Sequence, residues 1–109
     1  MAGVMTISLA AFATPAQAAD VQWATLYEHA NGLGQTYNVF GPAPCGGNLV
    51  NIPTWFNDKT SSVRVHVPGC WIDLYEHSGG QGLRWTANYE NNQPVAVPLW
   101  FNDKASSFK

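Results

Sequence analysis

An eight-residue segment occurs twice in this chain with a single substitution. Residues 55–62 read Trp-Phe-Asn-Asp-Lys-Thr-Ser-Ser, and residues 100–107 read Trp-Phe-Asn-Asp-Lys-Ala-Ser-Ser. Each copy places a carboxylate, an amide and at least two hydroxyls within six residues, and these groups are hard oxygen donors. A chain of 109 residues is too short to build a deep catalytic cleft. The repeat therefore predicts two equivalent ion sites on a pseudo-symmetric domain.

The duplication extends well beyond this segment. Leu-Tyr-Glu-His at 26–29 returns 48 residues later, and glycines follow both copies at matching positions. Pro53 and Asp58 both recur 45 residues later. The two halves, about 21–67 and about 70–109, are therefore one duplicated unit with a small deletion in the second copy.

The hydrophobic pattern within each unit is typical of short β-strands. Residues 62–67 alternate between valines and the polar Arg64 and His66, and residues 71–75 alternate in the same way. Runs rich in glycine and proline separate these segments, and no window of 11 or more residues after residue 18 has helical periodicity. We expect an all-β sandwich of two Greek-key motifs packed face to face, since two repeats are too few for a propeller or a solenoid.

Residues 1–18 have the composition of a secretory signal peptide. They contain no charged residue, are apolar from Val4 to Ala13, and end in Ala-Gln-Ala. The apolar run is shorter than the ~20 residues that a membrane-spanning helix needs. We expect a secreted, extracellular domain of residues 19–109. Because a basic N-terminal region is missing, a short apolar core segment or an uncleaved anchor stays open as an alternative.

The two cysteines, Cys45 and Cys70, predict one disulfide in an oxidising compartment. Closing a loop of this length would stabilise the fold by about 3 kcal/mol on the chain-entropy interpretation. A zinc site that includes the nearby His66 is the alternative, but it has only two cysteines and no CxxC spacing.

Charge and motifs exclude several classes of function. The net charge is −2 and the five basic residues are scattered, so we expect neither nucleic acid nor an anionic membrane surface as a partner. No HExxH or GxSxG motif is present, and we expect no enzyme activity. His29 and His77 occupy equivalent positions and are expected at hairpin bends rather than on zinc. We expect a monomer.

Two pairs of segments resemble the microbial βγ-crystallins. Asn-Asp-Lys-Thr-Ser-Ser at 57–62 and Asn-Asp-Lys-Ala-Ser-Ser at 102–107 are similar to that family's paired calcium motif, which reads Asn/Asp, Asn/Asp, any, any, Ser/Thr, Ser. Residues 27–34 and 75–82 are similar to its folded hairpin, which begins with an aromatic residue and ends in glycine. Together these segments extend across nearly all of residues 19–109, in the same order in each half, and imply the βγ-crystallin-type sandwich.

The resemblance implies two calcium ions bound in a crossed arrangement. Each ion would take a serine hydroxyl and a lysine carbonyl from one motif, an aspartate side chain from the other motif, and a glutamate carbonyl from a hairpin. The expected ligands are Ser61, Lys59, Asp103 and Glu28 at one site, and Ser106, Lys104, Asp58 and Glu76 at the other. Water would complete the six to eight oxygens that calcium takes, and about one carboxylate per ion implies micromolar to millimolar affinity.

The family pattern also bears on the residues around these loops. Ser62 and Ser107 resemble its structural serine, which ties the hairpin down. Gly32 and Gly80 stand where the family usually has a second aromatic residue, which implies looser hairpins.

Other interpretations of the same residues stay open at this point. The Asn-Asp and Ser-Ser runs can form turns without binding any ion, since their side chains bond to their own backbone. Other secreted proteins of this fold resemble metalloproteinase inhibitors or killer toxins that act on fungal cells or walls, so an extracellular protein or a glycan is a possible partner. An inhibitor needs a protruding loop, for which residues 42–45 are the candidate.

Five tryptophans are a high number for a chain of this size. We expect burial for them as a group, because exposed tryptophans would indicate sugar binding by ring stacking. Trp55 and Trp100 are expected to pack in the core beneath the two loops.

Overall fold

The computed structural model describes residues 20–41, 45 and 48–109. The predicted signal peptide lies outside the described residues. Eight strands form within them: β1 (Val21–His29), β2 (Leu33–Gly41), β3 (Val50–Asn51), β4 (Ser62–Val65), β5 (Trp71–His77), β6 (Gln81–Asn88), β7 (Val95–Ala96) and β8 (Ser107–Phe108). A 3-10 turn, Ala30–Gly32, joins β1 to β2. Within the described part of the chain, no helix has the length and hydropathy needed to cross a bilayer.

The strands form two four-stranded sheets, and the predicted all-β sandwich is confirmed. The first sheet has the order β2-β1-β4-β7 and the second has the order β3-β8-β5-β6, with every pairing antiparallel. Each sheet therefore contains three strands from one half of the sequence and one short strand from the other half. Because of this exchange, strands of the two halves pair directly in both sheets, β7 with β4 and β3 with β8.

The core lies between the sheets and follows the alternation in the sequence. Val63 and Val65 of β4 are fully buried, and their neighbour Arg64 is only partly buried. Ile72 and Leu74 of β5 are fully buried on the inner face of the second sheet. Side chains that alternate along a strand point to opposite faces, so one face of each strand supplies the core.

The long hairpins β1–β2 and β5–β6 differ at their outer ends. In β1 the register shifts between Gln22 and Ala24, so Trp23 is an extra residue in a bulge, and its side chain is 2% exposed within the core. The equivalent residue, Trp71, pairs regularly with Asn88, and its side chain is 51% exposed. A bulge re-aims the side chain that it carries, and this explains the different fates of two matched tryptophans.

The expectation that Trp55 and Trp100 are buried is wrong. Both are 52% exposed, and the phenylalanines that follow them, Phe56 and Phe101, are fully buried instead. Each pair lies in a tight turn that begins at Pro53 or Pro98, whose carbonyl accepts a 2.9 Å hydrogen bond from the phenylalanine N–H. In such a turn neighbouring side chains point in different directions. Phenylalanine carries no polar atom, so its burial leaves no donor unsatisfied, unlike the burial of an indole.

The predicted disulfide is present. Cys45 and Cys70 are bonded, with their Cα atoms 5.2 Å apart, and the bond joins the segment after β2 to the start of β5. Of the candidate inhibitor loop, residues 42–45, only Cys45 is among the described residues, and residues 42–44 lie outside them.

Candidate functional site

The two Asn-Asp-Lys segments form equivalent turns. Asp58 and Asp103 have backbone φ angles of 61° and 59°, in the left-handed region that aspartate and asparagine tolerate better than most residues. The N–H of Asp58 donates to the carbonyl of Ala105 (3.0 Å), and the N–H of Asp103 donates to the carbonyl of Thr60 (3.1 Å). The backbone of each turn is therefore held by the turn of the other half.

The side chains repeat this crossed arrangement. Ser61 Oγ donates to Asp103 Oδ1 at 3.0 Å, and Ser106 Oγ donates to Asp58 Oδ1 at 3.1 Å. The serine of each half thus meets the aspartate of the other half. The structure brings together the hydroxyl–carboxylate pairs that, by the family resemblance, are expected to share an ion.

The hairpins β1–β2 and β5–β6 supply the outer wall of the site. Glu28 and Glu76 both lie in register shifts, so neither residue has a partner in the strand pairing. Their side chains accept backbone hydrogen bonds across the hairpin, since Gln35 N–H donates to Glu28 Oε1 and Leu83 N–H donates to Glu76 Oε1, both at 3.2 Å. The carboxylates therefore brace the hairpin.

The hairpins are joined to the turns by matched backbone bonds. Ser61 N–H donates to the carbonyl of Tyr27, and Ser106 N–H donates to the carbonyl of Tyr75, both at 2.8 Å. These bonds hold each serine beside the irregular part of the neighbouring hairpin, where the unpaired glutamate backbone lies.

Ser62 and Ser107 bind the hairpin tips, as the family pattern implies. Ser62 Oγ donates to the carbonyl of His29 (2.7 Å) and accepts from Gly32 N–H (3.0 Å). Ser107 Oγ makes the matching bonds with His77 and Gly80, at 2.6 and 3.0 Å. Both serines are fully buried, so these hydrogen bonds form away from competing water.

The glycines that replace the expected aromatics have positive φ angles, 72° at Gly32 and 71° at Gly80. A Cβ atom on Gly32 would lie 2.9 Å from Pro94 Cγ, and one on Gly80 would lie 3.2 Å from a Leu49 methyl. Pro94 and Leu49 are themselves 45 residues apart, at matching positions of the two halves. Side chains contributed by the opposite half therefore cover both hairpins where the family usually has a ring.

Two open cavities lie at these turns, one for each crossed pair. One has a volume of about 180 Å³ and is lined by Glu28, His29, Asp58, Lys59, Ser61 and Asp103. The other has a volume of about 200 Å³ and is lined by Asp58, Glu76, His77, Asp103, Lys104 and Ser106. All eight residues predicted as ligands line one or both cavities, and the two aspartates line both.

His29 and His77 also line the cavities, although their positions in the sequence predicted only hairpin bends. Each is well exposed, with Nε2 3.7 or 3.6 Å from an oxygen of the preceding glutamate. The matched positions of the two histidines in the repeat could have indicated that they lie at the two sites. A place at two equivalent hairpin bends explained the same pattern equally well.

The donor set suits a hard cation better than a transition metal. Among the residues the structure describes, no three His, Cys, Asp or Glu side chains converge as a metal site would require. An ion in either cavity must therefore take hydroxyl and carbonyl oxygens beside a carboxylate, a mixture that calcium accepts. Two oxygens that are neighbours around one calcium ion, each about 2.4 Å from it, lie roughly 3 Å apart. The Ser61–Asp103 and Ser106–Asp58 separations match that spacing.

Comparison with known proteins identifies similar structures. No family model matches the chain, and no curated protein matches it by sequence. A βγ-crystallin domain from Clostridium beijerinckii is 26% identical with a TM-score of 0.62, over 81% of this chain and 95% of that one.

Two more distant structures share the fold. A βγ-crystallin from an archaeon is 20% identical with a TM-score of 0.60, over 81% of this chain and 95% of its own. A βγ-crystallin domain from Flavobacterium johnsoniae is 23% identical with a TM-score of 0.56, over 79% of this chain and 90% of its own. The chain therefore has the fold of the microbial βγ-crystallin domains.

Proposed function

We propose that this domain binds two calcium ions, which stabilise its fold. The observation that carries the proposal is the crossed contact in each cavity, where a serine of one half lies about 3 Å from an aspartate of the other. Ser61 and Asp103 would hold one ion, with the carbonyls of Lys59 and Glu28. Ser106 and Asp58 would hold the other, with the carbonyls of Lys104 and Glu76.

Neither half offers enough donors alone, and this favours sharing. One turn supplies a single carboxylate, whereas calcium takes six to eight oxygens. When bound, the ions would supply electrostatic links between the two halves at the point where the turns already exchange backbone hydrogen bonds. Calcium ligation would therefore reinforce the link between the two halves that these hydrogen bonds already form.

Charge limits the expected affinity. Lys59 and Lys104 line the cavities, and Lys104 is exposed while Lys59 is only partly buried, so water screens their ammonium groups while their carbonyls serve as donors. With about one carboxylate per ion, we expect dissociation constants between micromolar and millimolar. At a hundredfold excess of calcium over the dissociation constant, each site would stabilise the fold by about 2.7 kcal/mol.

Calorimetric titration with calcium, combined with thermal melts in calcium and in chelator, tests the proposal. We expect two binding events and a melting temperature raised by calcium. Both effects should disappear in the double variant Ser61→Arg/Ser106→Arg, which places a cation in each cavity. Thr60→Ala is the matched control, because it converts the first motif into the second motif's sequence and leaves all proposed ligands in place.

Absence of heat and an unchanged melting temperature in the unmodified protein would contradict the proposal and leave the two motifs as turns. Magnesium should compete poorly, since it requires near-ideal octahedral geometry and retains its waters. A magnesium titration under the same conditions therefore serves as a second control.

We further propose that the protein acts outside the cell and by binding rather than catalysis. The Cys45–Cys70 disulfide supports an oxidising compartment. Mass spectrometry of protein recovered from an export-competent host tests this, since the proposal requires release of the chain and removal of residues 1–18.

A further inference from the structure

The outer face of the second sheet carries two parallel rows of side chains. Because Ile72 and Leu74 point into the core, the alternate residues of β5 point outward. Their direct partners on β6 share that face. The outward pairs are Trp71 with Asn88, Asp73 with Thr86, and Tyr75 with Arg84.

Trp71 is the half-exposed aromatic platform of this face. Its counterpart in the first half, Trp23, is turned into the core by the β1 bulge, whereas Trp71 stays in regular pairing and remains 51% exposed. Burying a side chain of this size normally contributes several kcal/mol to stability. Trp23 supplies this stabilisation in the first half, but the matched Trp71 does not. This difference indicates a function for the exposed ring of Trp71.

Polar side chains adjoin that ring. Thr86 Oγ1 donates to Asp73 Oδ1 at 2.5 Å, which fixes the carboxylate in the middle of the face, and Asn88 is exposed beside the indole. Lys109 lies across from Asp73 through paired backbone hydrogen bonds of 3.0 and 2.9 Å. Arg84 makes no carboxylate contact within the described residues. One acidic and two basic groups leave the face without a strong charge of either sign.

We propose that this face binds an uncharged polysaccharide of β-linked pyranose rings. Trp71 would stack against the apolar face of one ring, and Asn88 and Asp73 would hydrogen-bond its hydroxyls. An exposed indole offers an apolar ring face, and fixed polar side chains beside it can bond to the hydroxyls around a sugar ring. Tyr75 lies four residues from Trp71 on the same face, about 13 Å along the strand. An open face with two spaced aromatics fits an extended chain rather than a single sugar.

The other exposed tryptophans provide matched controls. Trp100 has nearly the same exposure as Trp71, but it lies in a turn, edge-on to Phe101 at 5.6 Å between ring centroids. Trp55 packs against Tyr37 and Phe56 in the equivalent turn. Neither lies on the strand pairs that carry the polar row.

Depletion binding to insoluble microcrystalline cellulose and to chitin tests this proposal. We expect the unmodified domain to bind at least one of the two, and Trp71→Ala to weaken that binding by about tenfold or more. Trp100→Ala should bind as the unmodified domain does. A soluble oligosaccharide of the bound polymer should release the protein.

Asn88→Ala is the second variant, because an exposed strand residue can be truncated without affecting the core. It should weaken binding several-fold while the melting temperature stays within a few degrees. The proposal is overturned if the unmodified domain binds neither polymer, or if Trp71→Ala and Asn88→Ala both bind undiminished. It is equally overturned if Trp100→Ala loses as much binding as Trp71→Ala. None of these outcomes depends on calcium titration, so this proposal and that of calcium binding can fail independently.

Discussion

The hydroxyl of Ser62 donates a 2.7 Å hydrogen bond to the carbonyl of His29, which lies 33 residues earlier in the chain. The same oxygen accepts the N–H of Gly32, so one buried atom satisfies two backbone groups of the hairpin tip. Removing it leaves both groups without their partner. Ser62→Ala is therefore expected to destabilise the domain by about 1–3 kcal/mol.

Urea unfolding measures this loss. Ser107→Ala should show a similar loss, because Ser107 makes the same two bonds in the second half. Ser78→Ala is the control, since Ser78 is exposed at the tip of the second hairpin. If Ser62→Ala and Ser78→Ala had equal stability, the hairpins would not depend on these bonds.

The crossed pairing predicts which aspartate serves which calcium site. In a Ser61→Arg background only the site with Ser106 should remain. Adding Asp58→Asn should then abolish the remaining binding heat, because Ser106 contacts Asp58, whereas adding Asp103→Asn should have a much smaller effect. Calorimetry on the two double variants makes the comparison.

Equal loss in both double variants would contradict the crossed assignment. It would show instead that the two aspartates, which line both cavities, serve both ions together. The reciprocal pair in a Ser106→Arg background repeats the test for the other site.

The turns predict opposite outcomes for adjacent aromatics. Phe56→Ala removes a fully buried ring and should cost about 3–5 kcal/mol. Trp55→Ala removes a half-exposed ring that rests against Tyr37, and it should cost only about 1 kcal/mol. Thermal or urea unfolding of both variants decides the point. A larger loss for Trp55→Ala would show that the tryptophan, despite its exposure, is the main anchor of the turn.

Gly32 and Gly79 form a matched pair for separating steric contact from backbone strain. Both have φ of 72°, so alanine at either position incurs a similar cost of about 1 kcal/mol for a left-handed backbone. A Cβ on Gly32 would also contact Pro94 Cγ at 2.9 Å, whereas a Cβ on Gly79 would meet nothing within 4 Å.

Gly32→Ala should therefore be the more destabilising of the two substitutions, by urea unfolding. The proline ring is rigid, so the contact cannot be relieved by a simple rotamer change. Equal losses would mean that backbone strain alone accounts for the requirement for glycine.

Much of the architecture could be predicted from the sequence because the fold repeats. The alternation at 62–67 correctly assigned Val63 and Val65 to the core, and the repeated Tyr-Glu-His segments marked both hairpins. The two motifs also indicated a pairing of Ser61 with Asp103, through the family pattern rather than through spacing. Because the unit is duplicated, each motif and each strand pattern occurs twice. Agreement between the two copies makes the structural prediction from either copy stronger.

The errors arise where tertiary geometry overrides local pattern. Trp55 and Phe56 are adjacent large aromatics, and both recur in the second half. Nothing in their order indicates which of the two the turn buries. The bulge at Trp23 depends on pairing with β2, which composition alone does not reveal. The exchange of β3 and β7 between sheets follows from contacts between the halves, and strand periodicity within one half contains no information about them.

That exchange also affects when the protein can fold during its synthesis. β8 pairs with both β3 and β5, so the second sheet is incomplete until residues 107 and 108 have left the ribosome. The first sheet likewise waits for β7. Domains that complete their pairing early can fold as they emerge, but this topology delays folding until both halves of the domain have been synthesised.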